Sequence, residues 1–162
     1  MKSPGVAASS NDDLLKIGER ISRYCAYQER SSLEAARKLR EWKVPAVKVK
    51  EILDHLSEGG FIDDARFAHI FAKSKFRHNK WGRVKIRYEL LSRGIPENII
   101  PDALKEIDEA EYLETIRELI IKKQKEIKEG KNLNIREKIM TFVAGKGFEF
   151  DLIAKVLTEL NI

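Results

Sequence analysis

Residues 82–107 read GRVKIRYELLSRGIPENIIPDALKEI, and the placing of their apolar side chains decides the fold. Ile86 and Leu90 recur at helical spacing, Gly94 marks a helix stop, and Pro96 opens a further helix carrying Ile100, Ala103, Leu104 and Ile107. Ile95 lies in the turn between them. A backward shift of 51 residues places Ile95 on Val44, and a forward shift of 53 places it on Phe148. The same shifts carry Ile100, Ala103, Leu104 and Ile107 onto Val49, Ile52, Leu53 and Leu56, then onto Ile153, Val156, Leu157 and Leu160. Leu90 coincides with Leu39 and Val143. Four apolar positions in register three times mark an internal repeat.

Working outward, the pattern is helical almost throughout. Leu14, Ile17, Ile21, Tyr24 and Cys25 share a helical stripe, and Ser31 with Glu34 forms a capping box for a helix running through Trp42. Pro45 opens a helix that Gly59-Gly60 ends. Asp63-Asp64 caps one bearing Phe67, Ile70 and Phe71. A long helix is predicted from Glu109 to Glu129, and Asn134 with Glu137 forms another capping pair. No hairpin turn or period-2 alternation signals a strand. The expected architecture is all-α: a disordered lead over 1–11 and three tandem three-helix repeats over 12–60, 61–107 and 108–162. Units of this size bury their faces only by stacking on neighbours. Val84, Tyr88 and Leu91 form a second apolar stripe opposite Ile86 and Leu90, which predicts a helix sandwiched on two sides.

Composition narrows the function. Of 162 residues, 35% are charged, against about 25% in ordinary globular chains. That excess suits an elongated molecule with much surface per residue. Cys25 is the single cysteine, which excludes an internal disulfide and a cysteine-based zinc site and points to a reducing compartment. No signal-peptide run or membrane-length apolar stretch is present, so a cytoplasmic protein, not membrane-bound and by default a monomer, is expected. Ala144-Gly145-Lys146-Gly147 fails as a phosphate-binding loop, because Met140 stands at its first glycine position and Gly147 where Ser or Thr belongs. His55, His69 and His78 lack ligand spacing. No nucleophile, base and oxyanion donor can be assembled, so a binding protein without catalysis, metal or cofactor is expected.

One stretch is charged with a single sign. Lys73, Lys75, Arg77, Lys80, Arg83, Lys85 and Arg87 fall within 15 residues with no acid among them, and His78 and Trp81 lie inside the run. Lys73, Arg77 and Lys80 are spaced to share one helix face. The whole chain carries a net charge of +5, but residues 62–107 carry +4 of it, against +2 for 1–61 and −1 for 108–162. A solvated face normally mixes signs. An unmixed one predicts a polyanion or an acidic partner surface.

The segment 59–104 resembles the core of the RecX family, regulators of the RecA recombinase. The matching residues are Gly60-Phe61-Ile62-Asp63-Asp64, Arg66-Phe67-Ala68, Gly82, Ile86, Glu89-Leu90, Gly94-Ile95 and Ala103-Leu104. Trp81 departs from the Lys or Tyr expected before Gly82. The resemblance implies three tandem three-helix repeats in an elongated, curved molecule. It also implies a non-enzymatic regulator in DNA recombination, repair and the SOS response. Such a protein binds RecA filaments on single-stranded DNA and inhibits ATP hydrolysis, strand exchange and filament extension. Phe61, Phe67, Ile86, Leu90, Ile95 and Leu104 are expected in the core, with Asp64 at a helix start and Gly82 and Gly94 at helix boundaries. A direct DNA-binding helical module without sequence preference is the alternative reading.

Overall fold

The computed structural model describes residues 11–128 and 134–162. These form nine helices: α1 (Asn11–Tyr27), α2 (Ser32–Glu41), α3 (Ala46–Glu58), α4 (Asp64–Asn79), α5 (Arg83–Ser92), α6 (Ile100–Lys105), α7 (Glu109–Lys128), α8 (Ile135–Gly145) and α9 (Phe150–Glu159). No strand occurs among the described residues, so the all-α repeat fold expected from the register is observed. Asn11 belongs to α1, one residue inside the lead expected over 1–11. The remainder of that lead, and Glu129 at the expected end of the long helix, lie outside the described residues.

By packing, the helices group into two compact units. The first runs through Phe67 and includes Arg93–Pro96. Its core comprises Ile21, Cys25, Ala35, Ala36, Leu39, Val44, Val49, Ile52, Leu56 and Ile62, with Ile17, Tyr24, Trp42 and Leu53 packed against it. Each fully buried aliphatic side chain of this kind contributes about 1.5–3 kcal/mol. Burial also pushes the Cys25 thiol above its ordinary pKa, so it remains protonated and inert. The predicted capping box is formed: the Glu34 N–H donates to Ser31 Oγ at 3.2 Å, and the Ser31 N–H donates to Glu34 Oε2 at 2.9 Å. Asp63 accepts from the Arg66 N–H at 2.9 Å and so caps α4. Asp64 instead accepts from the Ser32 N–H at 2.8 Å, a tie between two helix starts.

The second unit, Ala68–Ser92 with Glu97–Ile162, is built on stacked rings. Phe76 lies 5.6 Å from Tyr112, which lies 5.0 Å from Phe148, centroid to centroid. Ile86, Leu90, Ile100, Ile116, Ile120, Ile139, Ile153 and Leu157 are fully buried around them.

The repeat register reappears in the backbone. Lys43, Gly94 and Gly147 are related by the same shifts, and all have positive φ: 59°, 74° and 92°. Two of the three must also be glycine for space. A Cβ on Gly94 would lie 2.8 Å from Leu33 Cβ, and one on Gly147 would lie 2.3 Å from Lys85 Cβ. Beside each turn the same joint recurs. Ser31 Oγ donates to the Arg93 carbonyl at 3.0 Å. At the corresponding positions the Gly82 N–H donates to the Lys146 carbonyl at 2.9 Å. Thus a left-handed turn after one helix seats on the start of a helix about 60 residues earlier. Lys43 is exposed and keeps its side chain.

Several expectations are corrected. The stripe of Val84, Tyr88 and Leu91 is 55%, 70% and 41% exposed, so α5 is buried on the Ile86–Leu90 side alone. The helix expected from Pro96 begins at Ile100. Pro101 has no N–H to bond the Glu97 carbonyl, and its ring clashes there, so the helix restarts with proline in its first turn. Phe61 is 40% exposed rather than in the core, and Leu104 is half-buried. Asn134 precedes α8 but makes no side-chain capping bond.

Candidate functional site

The basic stretch spans the end of α4, the turn 80–82 and α5. Lys80 lies beyond α4 with φ of 54°, so it does not share the helix face of Lys73 and Arg77 as its spacing predicted. The left-handed residue turns the chain back, and the Trp81 N–H bonds the Lys75 carbonyl at 3.2 Å. Trp81 thereby returns to Phe71, edge to face at 6.4 Å.

The structure sorts the seven cations into two classes. Arg77 pairs with Glu111 at 3.6 Å, Lys80 with Glu118 at 3.8 Å, and Arg83 with Glu109 at 2.5 Å and Glu149 at 3.8 Å. Arg87 pairs with Glu97. Lys73, Lys75 and Lys85 have no carboxylate partner among the described residues. The run is therefore single-signed only along the chain, because acids 10 to 66 residues away neutralise four of its members. Most of those pairs are surface-exposed and worth about 0–1 kcal/mol each.

Arg83 is the exception, being more enclosed. Its guanidinium lies 3.9 Å over the Tyr112 ring, and the Arg83 backbone N–H donates to the Tyr112 hydroxyl at 2.9 Å. That hydroxyl donates in turn to Glu149 at 2.5 Å. Burial, then the bond to Glu149, hold the phenol well above its ordinary pKa. This cluster binds α5, α7 and the start of α9 together and is structural.

Two of the three unpaired lysines, Lys75 and Lys85, gather on one ring. Lys85 Nζ lies 4.5 Å from the Trp81 ring centroid, and Lys75 Nζ lies 5.1 Å from it and 5.5 Å from Phe71. Phe71, Lys75 and His78 share one face of α4, whereas Lys73 and Arg77 lie well round the helix. The Trp81–Gly82 peptide bonds Lys146, a third lysine without a described acidic partner, whose Nζ lies 5.7 Å from Phe142. Sequence reading missed Lys146 because the register, not the charge pattern, brings it to Gly82. The aromatic residue inside a basic run was the available signal for Trp81.

Among the described residues no group of His, Cys, Asp and Glu is placed to hold a metal ion. Nor, among the described residues, is any helix long and apolar enough to cross a membrane.

Comparison with known proteins gives concordant matches. The family model of the RecX second three-helix domain matches residues 63–104, and that of the third three-helix domain matches residues 109–157, together more than half of the chain. A protein named Regulatory protein RecX from Clostridium acetobutylicum is 32% identical over 127 residues, covering 76% of this chain and 58% of its own. Regulatory protein RecX from Bacillus cytotoxicus is 28% identical, covering 93% of this chain and 56% of its own. The chain thus spans less than three fifths of the length of these relatives. The crystal structure of RecX from Lactobacillus salivarius superimposes with a TM-score of 0.86 at 26% identity, covering 94% of this chain and 99% of that one. A second crystal structure, of regulatory protein RecX, gives 0.82 at 25% identity over 88% of this chain and 72% of that one.

Proposed function

We propose, since this chain belongs to the RecX family, that it is a non-enzymatic regulator of the RecA recombinase. It binds RecA filaments on DNA and inhibits ATP hydrolysis, strand exchange and filament extension, thereby modulating recombination and repair in the cytoplasm. Family membership carries this reading. Two surface features support it. The exposed row of Val84, Tyr88 and Leu91 on α5 is apolar surface of the kind protein partners cover. The basic stretch offers positive charge to an acidic recombinase surface or to DNA phosphates.

The test is the ATPase rate and disassembly of cognate RecA filaments on single-stranded DNA. The parent protein is expected to slow ATP hydrolysis and shorten filaments. The triple variant Lys73→Glu/Arg77→Glu/Lys80→Glu is expected to lose most of that inhibition while keeping its helical content. A parent without effect on RecA would remove the reading, and a triple variant as inhibitory as the parent would remove the basic stretch from it.

A further inference from the structure

We propose that the groove between α1 and α3 is a self-association site, in which the α1 helix of a second copy lies antiparallel to the first. The inference uses no residue of the basic stretch and no recombinase, so it stands apart from the recombinase reading. The first observation is an opening inside the first unit. In the third repeat α7 packs directly on α9. Between the corresponding helices of the first repeat, α1 and α3, a groove of about 960 Å³ remains. Its lining includes Leu14, Leu15 and Gly18 of α1, Ile52 and Leu56 of α3, and Phe61. Leu15 is 69% exposed and Phe61 40%, so the chain's own packing leaves this apolar surface to solvent. Gly18 is the second observation. Glycine weakens a helix interior, yet a Cβ built on Gly18 would meet nothing within 4 Å. The fold itself has no need of glycine there, whereas a helix seated in the groove does.

The third observation is charge, and it selects the occupant. Glu19 and Arg23 lie on the groove side of α1, both exposed, and neither has an ion-pair partner among the described residues. In an antiparallel pair with its two-fold axis between Gly18 and Ser22, Glu19 of each copy meets Arg23 of the other. Leu15 of each then packs over Ala26 of the other. Acid meets base and large meets small, each twice, as a self-complementary contact requires. A parallel pair would set Glu19 on Glu19 and Leu15 on Leu15. The 17 residues of α1 span about 25 Å, and two helices side by side are about 20 Å across. The contact therefore buries on the order of 1,000 Å² in all, the low end of specific interfaces. A dimer that dissociates in the micromolar range follows, in place of the monomer expected by default.

Sedimentation equilibrium of the whole chain, without RecA or DNA, tests it. A monomer–dimer equilibrium is expected. A chain still monomeric at about 1 mM, where a micromolar contact is saturated, overturns the site and leaves the groove to a different helix. Leu15→Glu and Gly18→Phe are expected to weaken the dimer about tenfold or more while keeping parental helical content, since both positions are open in the single chain. Glu19→Arg should weaken it several-fold, and Glu19→Arg/Arg23→Glu should restore it. Direction is read by cross-linking under mild oxidation. Ser22→Cys, beside the axis, should form a covalent dimer. Asn11→Cys should not, because antiparallel helices hold the two copies of residue 11 about 30 Å apart. The parent, whose single Cys25 is buried, supplies the blank. A dimer indifferent to Leu15→Glu and Gly18→Phe, a charge swap without rescue, or cross-linking through residue 11 would each overturn the antiparallel pair. None of these outcomes bears on RecA inhibition, which its own ATPase assay decides.

Discussion

The Tyr112 hydroxyl accepts from the Arg83 N–H and donates to Glu149, so removing that one oxygen strands both neighbours in a half-buried place. Tyr112→Phe is expected to cost about 1–3 kcal/mol, read by urea denaturation. The pH dependence has a definite sign. The folded phenol titrates above its unfolded value near 10, so its contribution is intact below pH ~10 and lost as pH rises beyond it. Parent stability should therefore fall faster than that of Tyr112→Phe above pH ~10; parallel curves would contradict the assigned hydrogen bonds. Gly147 presents a different single-atom constraint. Its φ of 92° strains any side chain, and its Cβ would meet Lys85 at 2.3 Å. Gly147→Ala is expected to lower stability by about 2 kcal/mol or more, whereas Gly145→Ala, with open space around its Cβ, should not destabilise. A thermal melt of the two variants decides it.

At the scale of elements, α5 carries apolar side chains on two sides and buries one. Ile86 and Leu90 are fully buried, while Val84, Tyr88 and Leu91 face solvent. Ile86→Ala or Leu90→Ala should cost about 2–5 kcal/mol. Val84→Ser and Leu91→Ser should stay within about 0.5 kcal/mol, as surface substitutions do. Large losses at Val84 would mean that the row is packed after all. This helix also marks the limit of sequence reading. Periodicity identified both stripes but carries no information on which one finds a neighbour. The same holds for α6: Pro96 suits a helix start, and only the clash of Pro101 with the turn before it moves the start to Ile100. By contrast, the register built on Leu39, Leu90 and Val143 located buried positions in three helices, because a repeated apolar pattern reports a repeated packing need. For the candidate site, the run of cations was legible and its partners were not. Glu109, Glu111, Glu118 and Glu149 are brought to it from 26 to 66 residues away by the fold alone.

At the scale of the whole molecule, the charge of +4 over 62–107 and −1 over 108–162 is a division of labour between segments that pair with each other. Net charge alone is thus a poor predictor of inhibition, which bears on how the RecA test is controlled. Reversing Lys73, Arg77 and Lys80 takes the chain from +5 to −1. Lys16→Glu/Lys50→Glu/Lys155→Glu makes the same change at three exposed residues elsewhere. Inhibition should survive in this control and fail in the first triple variant. Equal loss in both would assign the effect to long-range charge rather than to these three side chains.

The joint that seats a left-handed turn on an earlier helix start also has a direction in time. Ser31 precedes Arg93, and Gly82 precedes Lys146, by about 60 residues each. On the ribosome the receiving end of each joint is therefore made first, and the turn that fills it emerges seconds later at about 5–20 residues per second. Each nascent repeat meets a helix start already synthesised, so the chain can assemble vectorially, locking one joint before the next is translated.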